Sequence, residues 1–365
     1  MSKGNRTIVI MAGGTGGHVF PALATAQALR DKNIDVHWIG TKKGIEAQII
    51  PAADIPISFI DVSGLRGNGL ARLIAAPLQL TKALLQSLKC LREIRPQGVL
   101  GMGGFVTGPA GLAAWMLRIP ILIHEQNAVA GLSNRLLSRL SKRILAAFPG
   151  AFDGSRVARN LVVTGNPIRL DIASIPGPGD RLVNREGTVR LLILGGSLGA
   201  LTLNEMVPEA ISYLGLSERP DIIHQAGKRN YETAREHYEK FSVVAEVRPF
   251  IEDMAHAYEW ADLVICRAGA LTVSEVSAAG VAAIFIPYPH AVDDHQTKNA
   301  EYLETAGAAV IVQQNNLDGK RLTDLLKGLL GDRKALLEMA VKARSLAKPK
   351  ATDTVVSNIM EVCYA

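Results

Sequence analysis

Short apolar segments alternate with longer amphipathic segments along the chain, and this alternation constrains the fold more than any other feature. Short runs of branched apolar residues separated by helices are typical of buried parallel strands. The first series comprises residues 7–13, 35–40, 98–104, 120–126, 143–148 and 161–166, and the second comprises residues 189–197, 221–227, 242–250, 262–269, 282–289 and 308–313. Two such series predict an α/β protein with two Rossmann-like, doubly wound sheets.

The two series are separated near residues 166–182, where Pro and Gly cluster and the apolar periodicity lapses. We therefore expect an N-terminal domain over residues 1–168 and a C-terminal domain over residues 169–349. A chain of 365 residues is long enough for two domains that each bury a core. The segment Lys348–Lys350 predicts a break between a helix around residues 332–347 and a last short helix.

Both series open with a strand, a glycine-rich turn and a helix. The turns are residues 13–18 and 195–200, and residues 101–104 form a third glycine-rich stretch. Glycine lets the backbone approach oxygen atoms closely, and the N–H groups at a helix start favour an anion. None of the three matches G-x-G-x-x-G or the GK[ST] of a P-loop, which disfavours an NAD enzyme or an NTPase. Three such loops indicate a ligand that carries a diphosphate.

The net charge of +6 is unevenly distributed along the chain. Residues 1–170 contain 20 Lys and Arg against 8 Asp and Glu, whereas residues 171–365 contain 20 against 26. The basic half predicts an anionic partner, either nucleic acid, phospholipid or a phosphorylated substrate. No stacking aromatic residues accompany its basic residues, so we expect no nucleic acid partner.

Composition and cysteine usage limit the class of protein further. The chain is 48% hydrophobic and 20% charged, which is typical of a soluble globular protein. Cys90, Cys266 and Cys363 lie far apart without CxxC spacing, which disfavours a disulfide framework and a zinc site and fits a reducing cytosol. The first residues lack the apolar length of a signal peptide, and no apolar run reaches about 18 residues, the length that spans a membrane.

Two further strand ends carry polar residues. After Cys266, a turn leads into a helix that carries Glu275 near its start. This carboxylate either stabilises the helix dipole or accepts hydrogen bonds from two vicinal hydroxyls, as ribose offers. Residues 287–300 are rich in His, Asp, Gln and Asn, but no two His lie at i, i+4 on a secure helix. A metal site is therefore disfavoured, and sugar hydroxyls suit this cluster better.

Seven motifs resemble, in order and spacing, the MurG family of N-acetylglucosaminyltransferases of peptidoglycan synthesis. They are GGTGGHVFPALA (13–24), GMGGFVTGPAGLAAW (101–115), HEQNAVAGLSNRLL (124–137), TGNPIR (164–169), LGGSLGA (194–200), CRAGALTVSE (266–275) and HAVDDHQTKNA (290–300). The resemblance covers nearly the whole chain. It implies a GT-B architecture, with two Rossmann-like domains facing across a cleft and the last helix (350–365) packing back on the N-terminal domain. It implies no cofactor and no metal.

The resemblance also implies an activity and its partners. The chain would move GlcNAc from UDP-GlcNAc to the 4-hydroxyl of MurNAc in lipid I, with inversion, and so form lipid II. The acceptor is then undecaprenyl-pyrophosphoryl-MurNAc-pentapeptide. A peripheral protein on the cytoplasmic face of the bacterial inner membrane is implied, with an anionic membrane surface and cell-wall synthesis proteins as partners. Cell shape and cell division are the processes that it would serve.

Site residues are implied by the same motifs. In the second domain, the backbone near Phe250 and Ile251 resembles the segment that reads uracil, and Glu275 resembles the ribose-binding carboxylate. The diphosphate and sugar contacts there are implied for Ser197, Ala270, Leu271, Thr272, Val273, Ser274 and Gln296, with His295 beside the last. In the first domain the implied contacts are Thr15, Gly16, Gly17, Asn127, Asn134 and Arg169. The family often has Tyr where this chain has Phe105, so no role for a phenol hydroxyl is expected there.

Two residues are candidates for the group that removes the acceptor proton. His18 has an ordinary pKa near 6.5, which suits a general base, and a helix start would lower that pKa further. The alternative is that His18 only hydrogen-bonds the loop or an acceptor phosphate. Glu125 is the rival base. Loop N–H groups, the helix start after Gly195 and Arg169 are expected to stabilise charge on the leaving diphosphate.

Residues 70–96 combine apolar residues with cations. The apolar residues are Leu73, Ile74, Leu78, Leu84 and Leu85, the cations are Arg72, Lys82, Lys89, Arg92 and Arg95, and Trp115 is expected to extend the patch. Such a pattern is typical of a membrane-surface contact, although any helix on a parallel sheet also has an apolar face for that sheet.

The residues alone leave two alternative functions open. A soluble UDP-GlcNAc 2-epimerase-type enzyme shares the expected fold, and a non-catalytic nucleotide-sugar-binding protein would need no acceptor site. The basic first half and the HEQNAVAGLSN segment argue against the epimerase, and the motifs in both halves argue against a simple binding protein.

Overall fold

The structure is a computed structural model that describes residues 6–62, 69–153, 160–196 and 199–364. These residues divide into two compact units. Unit 1 comprises the chain up to Arg169 and the segment from Pro349 onwards, and unit 2 comprises Leu170–Lys348.

The described residues form thirteen strands and fifteen α-helices. The strands are β1 (Thr7–Met11), β2 (Asp35–Gly40), β3 (Ile57–Phe59), β4 (Gly98–Gly101), β5 (Ile121–Glu125), β6 (Arg143–Ala146), β7 (Leu161–Val163), β8 (Arg190–Leu194), β9 (Asp221–Gln225), β10 (Glu246–Arg248), β11 (Leu263–Cys266), β12 (Ala282–Phe285) and β13 (Ala309–Ile311). The helices are α1 (Gly16–Arg30), α2 (Glu46–Ala52), α3 (Gly69–Ile94), α4 (Thr107–Met116), α5 (Leu132–Leu137), α6 (Leu170–Ala173), α7 (Pro178–Leu182), α8 (Leu201–Ser212), α9 (Tyr231–Lys240), α10 (Met254–Trp260), α11 (Ala270–Ala279), α12 (His295–Glu304), α13 (Gly319–Leu330), α14 (Arg333–Ser345) and α15 (Ala351–Tyr364).

Unit 1 is built on one parallel sheet in the order β3-β2-β1-β4-β5-β6-β7. Its central strands are buried because helices cover both faces, which explains their continuous apolar sequences. The strand order reverses between β1 and β4. In a doubly wound sheet, ligands bind outside the carboxyl ends of the strands at such a switch point.

The last helix, α15, belongs to unit 1. It packs against α1 and buries Val355, Val356 and Ile359 in the same core as Val19 and Ala22. The predicted break near Pro349 is confirmed, because α14 ends at Ser345 and α15 begins at Ala351.

Unit 2 repeats the order of the first six strands of unit 1. Its parallel sheet runs β10-β9-β8-β11-β12-β13, and the order reverses between β8 and β11. Leu191, Ile193, Leu263 and Ile265 from the two central strands are fully buried in its core. The predicted α/β class with two doubly wound parallel sheets is confirmed.

The predicted apolar runs each contain a strand, but the strands end before the glycine-rich turns that were grouped with them. Strand β3 was not predicted, because its three half-buried residues pair only with β2 at the edge of the sheet. Among the described residues, no helix is both long enough and apolar enough to cross a membrane.

Candidate functional site

The first glycine loop follows β1 at the switch point of unit 1. Gly14 has a φ of +96°, a conformation that favours glycine. Its N–H donates to the Glu46 carboxylate at 3.0 Å, and that buried carboxylate also accepts from the N–H and hydroxyl of Thr41. Glu46 therefore ties the loop to the segment after β2, a role that the sequence analysis missed.

Helix α1 begins directly after this loop. Thr15 is its N-cap residue, and Gly16 and Gly17 are its first two helical residues. The N–H groups at these positions have no acceptor within a helix, so they point outward from its start. The helix dipole adds partial positive charge at the same place, which makes the loop suited to an anionic group.

His18 lies where the segments after β1, β4 and β5 meet. Its Nδ1 is 3.1 Å from Oε1 of Gln126, and Nε2 of Gln126 donates to the Met102 carbonyl at 2.9 Å. Gly103 makes room for the ring, since a Cβ there would lie 2.5 Å from His18 Nδ1. The ring is half-buried, so it is held by the protein and still reachable from solvent.

Glu125, at the end of β5, is only 2% exposed and accepts hydrogen bonds from its own loop. Oε1 accepts from the N–H and side-chain amide of Asn127 at 3.0 and 3.1 Å. Oε2 accepts from the Gly131 N–H at 3.1 Å and from Nδ2 of Asn134 at 2.8 Å. A carboxylate offers about four acceptor positions, and four donors occupy those of Glu125. The structure thus brings Glu125, Asn127 and Asn134 together as one loop-ordering cluster.

His124 lies beneath this cluster and is fully buried. Its Nε2 donates to the Gly165 carbonyl at 3.0 Å. Burial, with a smaller contribution from nearby His18, lowers the pKa of His124 to about 4, so His124 is neutral at physiological pH. Arg169 stands half-buried at the end of the segment that follows β7.

The second glycine loop follows β8 at the switch point of unit 2. Ser197 lies outside the described residues, but Gly196 and Gly199 of the same loop are described. Gly199 has a φ of +78°, and a Cβ there would lie 2.3 Å from the Ala226 carbonyl oxygen. Only glycine therefore allows this loop to lie against the segment after β9, and α8 begins two residues later.

Helix α11 begins at the other side of the same switch point. Ala270, Leu271 and Thr272 form its first turn, after the N-cap Gly269. Their N–H groups precede the first residue with an acceptor within the helix, since the Val273 N–H bonds Gly269 at 2.9 Å. Val273 is fully buried, and the Ser274 hydroxyl donates to the Ala270 carbonyl within the helix. Of these five residues of α11, Ala270, Leu271 and Thr272 therefore present backbone N–H donors.

Glu275 is positioned by a tyrosine that the sequence analysis missed. The hydroxyl of Tyr258, a fully buried side chain of α10, donates to Oε2 of Glu275 at 3.2 Å. Glu275 is itself buried and lies one turn into α11. The tyrosine fixes the carboxylate near the carboxyl end of β11.

Gln296 and Ile251 complete the polar groups at this edge of unit 2. Oε1 of Gln296 accepts from the N–H groups of Ala268 and Tyr288 at 3.2 and 2.9 Å, so its Nε2 is the group that it can offer to a ligand. The buried Ile251 N–H donates to Oε1 of Gln225 at 2.9 Å, so this N–H already has an acceptor within the protein.

The described residues show no cluster of three or more His, Cys, Asp or Glu side chains that could hold a metal ion.

An exposed apolar surface covers α3, α4 and α5, which pack side by side in unit 1. We call it the apolar face, and it comprises Leu78, Leu85, Leu112, Trp115, Met116, Leu132 and Leu136. Leu84 instead packs against the core. The side chains of Arg72, Leu73 and Ile74 lie outside the described part of the chain. Exposed Lys82 and Lys89 stand on the same helix as Leu78 and Leu85.

Comparison with family models matches both halves of the chain. Residues 8–146 match the glycosyltransferase family 28 N-terminal domain, and residues 190–355 match the glycosyltransferase family 28 C-terminal domain.

Two curated relatives match almost end to end. Both are named UDP-N-acetylglucosamine–N-acetylmuramyl-(pentapeptide) pyrophosphoryl-undecaprenol N-acetylglucosamine transferase. The relative from Marinobacter nauticus is 53% identical over 98% of this chain and 97% of its own length. The relative from Alkalilimnicola ehrlichii is 52% identical over 97% of this chain and 98% of its own length.

Among solved structures, the crystal structure of Acinetobacter baumannii MurG is similar with a TM-score of 0.85. It is 45% identical and covers 98% of this chain and 99% of that chain. A UDP-GlcNAc 2-epimerase from Neisseria meningitidis has a TM-score of 0.66 at 13% identity, over 97% of this chain and 99% of that chain. At that identity the likeness shows a common fold and nothing about activity.

Proposed function

The chain belongs to the MurG family of N-acetylglucosamine transferases, with a GT-B fold of two Rossmann-like sheets, and we propose that it transfers GlcNAc from UDP-GlcNAc to the 4-hydroxyl of MurNAc in lipid I. The product is lipid II. The observation that carries this proposal is the pair of switch points, each with a glycine loop that leads into a helix N-terminus.

We assign the donor to unit 2. The N–H groups of Ala270, Leu271 and Thr272 suit the diphosphate, because a helix start offers unpaired donors and partial positive charge. Ser197, in the loop before α8, is assigned to the same group. The Glu275 carboxylate accepts from the ribose hydroxyls, and the Ile251 carbonyl accepts from the uracil ring.

The GlcNAc hydroxyls are assigned to the Nε2 donor of Gln296, whose oxygen already holds two backbone N–H groups. In this account Val273 and Ser274 support the start of α11 rather than contact the donor, because the side chain of one is buried and the hydroxyl of the other bonds the helix.

We assign the acceptor to unit 1. Thr15, Gly16 and Gly17 present the start of α1 to phosphate or sugar oxygen atoms. Asn127 binds the sugar, and Asn134 supports the same loop through Glu125. Arg169 supplies a cation for the negative charge that grows on the leaving diphosphate.

His18 is assigned as the general base. Its Nε2 takes the proton of the 4-hydroxyl as that oxygen attacks C1 of GlcNAc, and the bond from C1 to the UDP oxygen breaks. A single displacement at the α-linked donor gives a β-linked product. Glu125 acts as a positioning residue in this scheme, since loop donors already occupy its carboxylate.

We further propose that the apolar face docks on an anionic lipid surface, as a peripheral protein on the cytoplasmic face of the inner membrane. The lipid-linked acceptor brings the enzyme to that surface. Leu85 and Leu132 are 61% and 63% exposed, and the half of the chain that carries them is strongly basic. Apolar side chains flanked by cations bind anionic membranes through both burial and charge.

The proposed reaction is tested by incubating the protein with labelled UDP-GlcNAc and a lipid I analogue, with and without EDTA. We expect label in the lipid product in both samples, because no step of the scheme uses a metal. Release of the label without lipid product would contradict the transferase, and loss of transfer in EDTA would contradict the metal-independent scheme.

A further inference from the structure

We propose that Gln126 fixes the tautomer of His18, so that the ring carries its proton on Nδ1 and presents an unprotonated Nε2 to the acceptor hydroxyl. This inference rests on the proposed function and assigns Gln126 as a positioning residue for its base.

The orientation of the Gln126 amide follows from its buried contacts. The residue is 1% exposed, and one end of its amide lies 2.9 Å from the Met102 carbonyl oxygen. A carbonyl oxygen only accepts hydrogen bonds, so this end must be the NH₂ group. The reversed amide would bring two oxygen atoms together in a buried site, which is unfavourable. The oxygen of Gln126 therefore faces His18.

The tautomer of His18 follows from that orientation. Oε1 of Gln126 lies 3.1 Å from Nδ1 of His18. Because an amide oxygen accepts only, Nδ1 must be the donor and must carry a hydrogen. A neutral imidazole has one protonated nitrogen, so Nε2 keeps its lone pair and is able to accept a proton.

The Gln126 side chain carries no charge, and this affects the protonation of the His18 ring. A carboxylate at this position would stabilise the imidazolium and keep the ring protonated at neutral pH. The other titratable groups around the ring do not take this role: His124 is neutral because burial lowers its pKa to about 4. The Glu46 carboxylate accepts from Gly14 and Thr41, and the Glu125 carboxylate accepts from Asn127, Gly131 and Asn134.

Gly103, in the loop after β4, holds the His18 ring beside the Gln126 amide. Its φ of +93° lets the backbone pass close to the His18 ring, where a Cβ would collide with Nδ1. The ring is therefore enclosed on the Nδ1 side by Gly103 and Gln126. This enclosure favours one ring orientation.

The inference is tested by NMR of the full chain labelled with ¹⁵N in its histidine rings, with His18 assigned by comparison with His18→Gln. At a pH where the ring is neutral, we expect Nδ1 to be protonated and Nε2 to be unprotonated. Finding the proton on Nε2 in the unmodified protein would overturn the inference, and this result needs no Gln126 variant to fold.

Two variants extend the test to activity. Gln126→Leu is expected to shift the ring toward the Nε2–H tautomer and to lower kcat by about tenfold or more, with an almost unchanged KM for UDP-GlcNAc. Gln126→Glu places a carboxylate beside the ring, where it would stabilise the imidazolium, and is expected to move the acid limb of the kcat/KM profile to higher pH. An unchanged tautomer and pH profile in both variants would contradict the inference.

Gln97→Leu is the matched control. The Gln97 side chain, like that of Gln126, bonds a backbone group, but it accepts from the Thr7 N–H at 2.7 Å and lies at the amino ends of the strands. The Gln97→Leu variant should leave the His18 tautomer and kcat unchanged.

If the unmodified protein has the Nδ1–H tautomer but transfers no GlcNAc, the tautomer assignment stands and the proposed function fails.

Discussion

Glu125, at the end of β5, and His18, in the first turn of α1, are both polar residues at the carboxyl edge of the sheet, yet their surroundings differ. The Glu125 carboxylate is saturated by four donors, three from its own loop and one from Asn134 of α5. Among the described residues, His18 makes its side-chain bond through Nδ1, and we assign the other ring nitrogen to the substrate. The difference in hydrogen bonding favours His18 as the base and Glu125 as a residue that shapes the loop.

Replacement of His18 by Ala is expected to lower kcat by about a hundredfold or more, because a positioned base contributes about 10²–10⁴ to the rate. The KM for UDP-GlcNAc should change little, since the donor contacts are assigned to unit 2. Steady-state kinetics with varied donor measure both constants. His37→Ala is the control, because His37 bonds Ser58 near the edge of the sheet. A His18→Ala enzyme with normal kcat would remove His18 from the mechanism.

Replacement of Glu125 by Gln separates the two roles considered for this residue. The amide nitrogen would face donors of the loop, so we expect lower stability, by about 1–3 kcal/mol, and lower kcat. The pH dependence of the remaining kcat/KM should keep its acid limb, because the base is assigned to His18 and not to Glu125. If that limb disappears while the protein stays folded, Glu125 is the base and the assignment to His18 is wrong.

Candidate residues could be named from the sequence only where a motif carries them. His18, Glu125, Glu275 and Gln296 were named as candidates in this way, and their roles stay predictions. Gln126 was not, because its role depends on contact with a side chain 108 positions away. Tyr258 and Glu46 were missed for the same reason: the groups that they hold are distant in sequence, and no local pattern shows the contact.

At the scale of elements, strand positions were predictable because both faces of a parallel sheet are buried, which requires continuous apolar runs. The edge strand β3 was not predicted, since three half-buried residues do not stand out in composition. Helix starts after glycine turns were predictable, whereas the contacts that hold those turns were not.

Helix α15 is expected to contribute strongly to the stability of unit 1, although it lies far from β1 in sequence. Ile359 is fully buried against α1, so Ile359→Ala should lower the free energy of unfolding by about 2–5 kcal/mol. Thermal or denaturant unfolding measures the change. The control is Ser357→Ala, an exposed position on the same helix. Equal stability of the two variants would mean that α15 does not pack as described.

At the scale of the whole molecule, two sheets that share the order of six strands carry different sets of side chains. The glycine loop and helix start recur at both switch points, but the histidine, glutamine and carboxylate of the acceptor side occur in unit 1. The Glu275 carboxylate, which we assign to ribose, and its partner Tyr258 occur in unit 2. This difference is the reason why we assign the donor substrate to unit 2 and the acceptor substrate to unit 1.

Membrane docking through the apolar face predicts a loss of vesicle binding in Leu85→Glu. Burying a Leu side chain is worth about 1.5–3 kcal/mol, so the affinity for anionic vesicles should fall by about tenfold or more. Flotation with vesicles of varied anionic lipid content measures it, and added salt should weaken binding further. Leu216→Glu is the control, because Leu216 is 82% exposed but lies in unit 2. An equal loss of vesicle affinity in both variants would contradict docking through the apolar face.

The structure of the reaction product tests the proposed transfer to MurNAc. The protein is incubated with UDP-GlcNAc and a lipid I analogue, and the isolated product is examined by NMR for the position and anomeric configuration of the new linkage. We expect GlcNAc in β-linkage to the 4-oxygen of MurNAc. An α-linkage, attachment at another hydroxyl, or conversion of the donor to its 2-epimer without transfer would contradict it.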